Sequence, residues 1–111
     1  MRGILIDPWT KTVEEVDIDK GLDGIYKATD CTCITAPIIL ENQDTFFLDD
    51  EGLFKKNAMW QCDGHRGYTF DFVGKALVLG SDREGDSVDA KSSIEDIAKR
   101  VTFSDNICAP M

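Results

Sequence analysis

The sequence has no apolar run approaching the roughly 18 residues that a membrane-spanning helix needs, and no charged leader followed by an apolar secretory segment. A cytoplasmic setting without membrane contact is therefore expected. Basic residues are scarce: twelve Lys and Arg stand against twenty-one Asp and Glu, a formal charge of −9. Such a field repels nucleic-acid backbones and anionic lipid, so direct nucleic-acid binding is not expected, and a partner protein with a basic surface fits better. There is one histidine, His65, which excludes any mechanism that needs two imidazoles. Prolines number three, and repeats, linkers and low-complexity tracts are missing. Without an export signal the four cysteines are expected to stay reduced rather than pair.

What remains suffices for one core. A chain of 111 residues with 42% hydrophobic content has the size of a single domain. Gly3-Ile4-Leu5-Ile6 reads as a buried strand, Asp7 to Lys11 as a turn, and Thr12 to Ile18 as an antiparallel return. In that return Val16 and Ile18 share a face opposite Val13. Leu22, Ile25 and Tyr26 predict a short helix capped by Asp19. Cys31 to Leu40 is rich in β-formers, but Pro37 confines it to a strand end or sheet edge.

Thr45 to Leu48 and Leu53-Phe54 predict a hairpin about Asp49 to Gly52. Asn57 to Phe72 reads as two short apolar segments about the polar Asp63 to Gly67, and Val73 to Leu79 as an interior strand covered on both faces. After a polar loop from Ser81 to Ser87, Ser92 and Glu95 fit a capping box ahead of a helix carrying Ile94, Ile97, Ala98 and Val101. One α+β domain over residues 1–103 is expected, with 104–111 a loosely ordered tail.

This order resembles a family of small phage and mobile-element proteins known as domain of unknown function 3846. The residues that carry the resemblance are Ile4-Leu5-Ile6-Asp7-Pro8, Leu22 to Tyr26, Phe47 to Leu53, Asn57, and Val73 to Gly80 with Gly85-Asp86 after it. They extend over nearly the whole chain, from Arg2 to Phe103. The resemblance implies a phage or integrated-element origin and no established chemistry. Cys31, Cys33 and the Asp63 to Arg66 loop are not features of that family.

Candidate chemistry is thin. Cys31, Cys33, Cys62 and His65 have the residue types of a structural zinc site, but their spacing is not that of a zinc finger, and buried reduced thiols explain the cysteines better. Cys62 with His65 is the one local pair for nucleophilic catalysis, and residues this close in sequence seldom converge on one atom. Gly74-Lys75 fails as a phosphate-binding loop, since Thr69 and Ala76 stand where Gly and Ser or Thr are required. Asp82, Glu84, Asp86 and Asp89 do not follow the order of a calcium loop and read as solvated charge. The aromatic residues are needed for the core before they can form a recognition patch.

The reading that follows is an α+β fold, with a mostly antiparallel sheet of about five strands and two helices on one face. The expected function is a non-enzymatic, phage-encoded binding protein without metal or cofactor. Its sharpest form is an inhibitor of a host defence or nucleic-acid enzyme, whose basic groove an acidic surface can occupy. Asp49, Asp50, Glu51, Asp82, Glu84 and Asp86 are the expected partner-binding residues. The alternatives are a zinc-stabilised interaction module, a protein that sequesters a small-molecule ligand and, last, a small hydrolase or transferase.

Overall fold

The computed structural model describes residues 1–52, 57–64 and 67–108. The chain starts with the expected hairpin of β1 (Arg2–Asp7) and β2 (Thr12–Asp17), paired from Arg2 opposite Asp17 to Asp7 opposite Thr12. Its turn forms because the Asp7 carboxylate accepts from the backbone N–H groups of Trp9 and Thr10, at 2.9 and 3.4 Å. A second hairpin joins β3 (Ile34–Ile39) to β4 (Thr45–Asp49). Strand β7 (Ala76–Ser81) enters between the two hairpins, antiparallel to β1 on one side and to β4 on the other. The order is β2-β1-β7-β4-β3, and the short β8 (Ser87–Val88) extends the end of β7.

β7 reads as apolar on both faces because it is covered on both. Leu77 and Leu79, with Phe47, face α1 (Leu22–Thr29), which packs there through Ile25. Ala76 and Val78, with Ile4, Ile6, Phe46 and Leu48, face a second sheet of order β6-β5-β9. That sheet is built from β5 (Asn57–Asp63), β6 (Thr69–Val73) and β9 (Val101–Cys108). It sends Trp60, Cys62, Phe70, Phe72, Val101 and Phe103 inward, and Ile97 of α2 (Ile94–Ala98) joins them. The buried Trp60 donates its indole N–H to the Gly74 carbonyl at 2.8 Å, which lets a large polar-tipped side chain sit in the core without an orphaned donor.

Two close approaches depend on glycine. A Cβ on Gly24 would lie 2.1 Å from the Asp19 carbonyl oxygen, so α1 can rest on the chain entering it only there. A Cβ on Gly80 would lie 2.4 Å from the Asp89 carbonyl, where the segment after β8 crosses β7.

The mostly antiparallel architecture with two short helices agrees with the α+β expectation, and several particulars differ. Among the described residues there are nine strands in two sheets, not about five in one. The helices lie on opposite faces of the main sheet, since each apolar helix stripe can be buried against either face. Residues 104–108 belong to β9, where Ile107 lies opposite Ala58 and Cys108 opposite Asn57, so they are not a loose tail. β4 pairs with β3 and β7, and the Leu53-Phe54 arm of the expected hairpin lies outside the described residues. Helix α1 is capped at Gly21 with no side-chain bond, so Asp19 is not its cap. Helix α2 is capped one residue later than expected, by Ser93 accepting from the Asp96 N–H at 3.1 Å. β3 is an edge strand with its register shifting between Thr35 and Ile38, as Pro37 requires.

Candidate functional site

The antiparallel pairing of β4 with β7 decides where the acidic turns go. Thr45 lies opposite Leu79 and Leu48 opposite Ala76. Asp49, the last residue of β4, and Asp50 and Glu51 beyond it therefore sit beside the start of β7. Asp82, Glu84 and Asp86, beyond the end of β7, sit beside the start of β4. The two turns are at opposite ends of the main sheet, about 20 Å apart along the strand direction. The six expected partner-binding residues therefore fall on two separate surfaces.

The loop after β7 is shaped by its own first carboxylate. Asp82 accepts from the N–H groups of Glu84 and Asp86, both at 2.9 Å, while the Asp82 N–H donates to the Asp86 carbonyl at 3.0 Å. This gathers the exposed carboxylates of Asp82, Glu84 and Asp86 to within 4.8 Å of one another. Beside them a cleft of about 520 Å³ runs to the start of α1. Met1, Leu22, Ile25 and Val88 give it an apolar lining, and Asp82, Asp86 and Lys20 the charged part. Leu22 is 56% exposed there, although it belongs to the apolar stripe of α1.

At the other end Asp49 accepts from the Glu51 N–H at 2.9 Å, and the Asp50 N–H donates to the Cys33 carbonyl at 2.9 Å. The exposed Cys33 thiol is pushed above its ordinary pKa, first by the Glu51 carboxylate, with slight burial and the Glu51, Asp50 and Asp49 groups adding to it. A smaller hollow of about 200 Å³ here is lined by Trp9, Asp30, Asp49 and Lys75, among others.

Among the described residues the candidate zinc ligands, Cys31, Cys33 and Cys62, are dispersed. Cys31 is buried with its sulfur 3.0 Å from the Thr29 hydroxyl, and Cys33 is exposed. Both precede β3, so they do not share a strand face. Cys62 lies in the core between the sheets, and burial pushes its thiol up to about 11, with Arg100 opposing the rise and Asp63 adding to it. His65 lies outside the described residues. Among the described residues the sole grouping of three metal-type side chains is Asp82, Glu84 and Asp86.

The sequence reading missed a third region. The fully buried Asp44 accepts from the backbone of Lys91 at 2.9 and 3.1 Å and of Ser92 at 2.7 Å, which ties the β3–β4 turn to the segment before α2. A cleft of about 580 Å³ opens beside this tie, lined by Asn42, Ser92, Lys99 and Arg100 among others. The lining residues come from segments about 50 positions apart, joined by contacts such as Asn42 with Ser92, so no local spacing signals them.

A mostly antiparallel, two-sheet α+β protein with acidic turns at the sheet ends is thus the class in hand. The chain belongs to the family described as Domain of unknown function (DUF3846), whose model matches residues 1–102. No curated protein and no solved structure matches it. Among the described residues no helix is long and apolar enough to cross a membrane.

Proposed function

We propose that the chain is a non-enzymatic binding protein of phage or mobile-element origin, which docks on a basic surface of a host protein through the β7–β8 loop and the adjoining cleft. One observation carries this reading: the cleft combines the Asp82 and Asp86 carboxylates with an apolar lining from Met1, Leu22, Ile25 and Val88. An Arg or Lys side chain needs both, apolar wall for its stem and carboxylate for its head. The formal charge of −9 steers such a partner and repels nucleic acid, which favours occupation of a basic groove over contact with DNA or RNA. Lys20 at the rim neutralises part of the site and leaves an acidic excess.

The test is capture of the partner from a bacterial lysate at low salt, followed by association rates against ionic strength. The native rate should fall as salt rises. Glu84→Lys should slow association about tenfold, whereas Asp50→Lys, at the far end of the sheet, should change it less than about twofold. Rates flat with salt, or a larger effect of Asp50→Lys, would overturn this assignment.

A further inference from the structure

A separate cleft lies on the other side of the main sheet from α1, and unlike the acidic loop it sets cations beside carboxylates. It opens between the β3–β4 turn, the segment before α2, the end of α2 and the backbone of Gly64, with a volume of about 580 Å³. That is the size of a small-molecule site. Its walls are rich in hydrogen-bond donors. Arg100 uses one guanidinium nitrogen to hold the Asp63 and Gly64 carbonyls, at 3.1 and 3.4 Å. Its remaining nitrogens have no partner among the described residues, and the side chain is half-buried. Lys99 is exposed at the same wall and has no ion pair among the described residues. The buried Ser92 hydroxyl accepts from the Asn42 amide at 3.0 Å, which leaves its own proton to donate.

The wall is also held in place. Asp44 fixes the Lys91 and Ser92 backbone, and Lys91 bonds the Asn42 carbonyl at 3.2 Å. Both Asp44 oxygens are engaged by backbone amides, which fix its orientation and leave its oxygens no part in ligand binding, although its negative charge remains. Two further carboxylates, Glu41 and Asp96, line the cleft. In a chain of charge −9 this cleft places two cations and a hydroxyl donor together, with acceptors beside them.

We infer that this cleft binds a small phosphorylated metabolite bearing hydroxyl groups. A guanidinium fork, an ammonium and a hydroxyl match the terminal oxygens of a phosphate, and a carboxylate such as Asp96 accepts from sugar hydroxyls. A carboxylate ligand would leave part of that donor set unused.

The probe is ribose 5-phosphate titrated into the isotope-labelled full chain, followed by amide chemical shifts, with inorganic phosphate and ribose as separate arms. Ribose 5-phosphate should bind with a dissociation constant at or below about 1 mM and move the amides of Ser92, Lys99, Arg100 and Gly64. Ribose alone should leave them unmoved, and inorganic phosphate should bind at least about fivefold more weakly. Lys99→Glu replaces an exposed side chain that has no ion pair among the described residues, so it should fold normally and weaken binding about tenfold, while Glu84→Lys should leave it unchanged. No shift in these amides, equal affinity for inorganic phosphate, or unaltered binding in a folded Lys99→Glu variant would overturn the assignment.

Discussion

Asp44 connects two turns that are remote in sequence, and it does so with a carboxylate shielded entirely from water. Removing it would leave the Lys91 and Ser92 amides without their acceptor, the Ser92 one in a buried position. Asp44→Ala should therefore lower the unfolding free energy by about 2–4 kcal/mol in urea titration, while Asp44→Asn, which keeps one acceptor, should cost less. Cys62 makes a separate prediction. Its folded thiol titrates near 11 against an ordinary 9.0, so the native state holds the proton longer than the unfolded state does. The sign follows: the contribution is full below pH 9.0, declines as the unfolded thiol ionises, and is gone above about 11. Stability measured from pH 8 to about 11 should fall less steeply in Cys62→Val than in the native chain.

At the level of elements, legibility tracked how local the cause was. Pro37 removes a ladder donor wherever it stands, so the edge position of β3 could be read from one residue. The covered faces of β7 could be read from Ala76 to Leu79 for a similar reason. The course of β9 could not. Its pairing with β5 depends on residues 39 to 51 positions away, and a register shift between Ala58 and Trp60 breaks the alternation that would have marked a strand. Nor does an apolar helix stripe state which sheet face it covers, which is why α1 and α2 were expected together. The binding residues divide in the same way: the acidic turns were visible as runs, whereas their separation and the Arg100 cleft are products of topology. A chain ending at Phe103, harmless if the tail were loose, loses the Ile107 and Cys108 pairings and the Lys11–Asp105 ion pair. Its melting temperature should fall by about 5 °C or more relative to a chain ending at Cys108, measured by circular dichroism.

For the molecule as a whole, nine uncompensated negative charges on a body of 13.0 Å radius of gyration repel one another at low salt. Raising sodium chloride from about 10 mM to about 300 mM should therefore raise the melting temperature by a few degrees, as the screening length shortens. A fall would mean that exposed pairs such as Arg2–Glu15 outweigh the repulsion. The insertion of β7 between two hairpins also bears on synthesis. During translation β1–β2 and β3–β4 emerge as two locally closed ribbons, each with an inner edge of unpaired amides and carbonyls, and the strand that satisfies both lies some 30 residues behind β4. Until Ser81 clears the ribosome, the nascent chain has half a sheet on either side of a missing centre. Ribosome-stalled chains ending before β7 should be protease-sensitive and recruit chaperones, and protection should arise in one step once that strand is out.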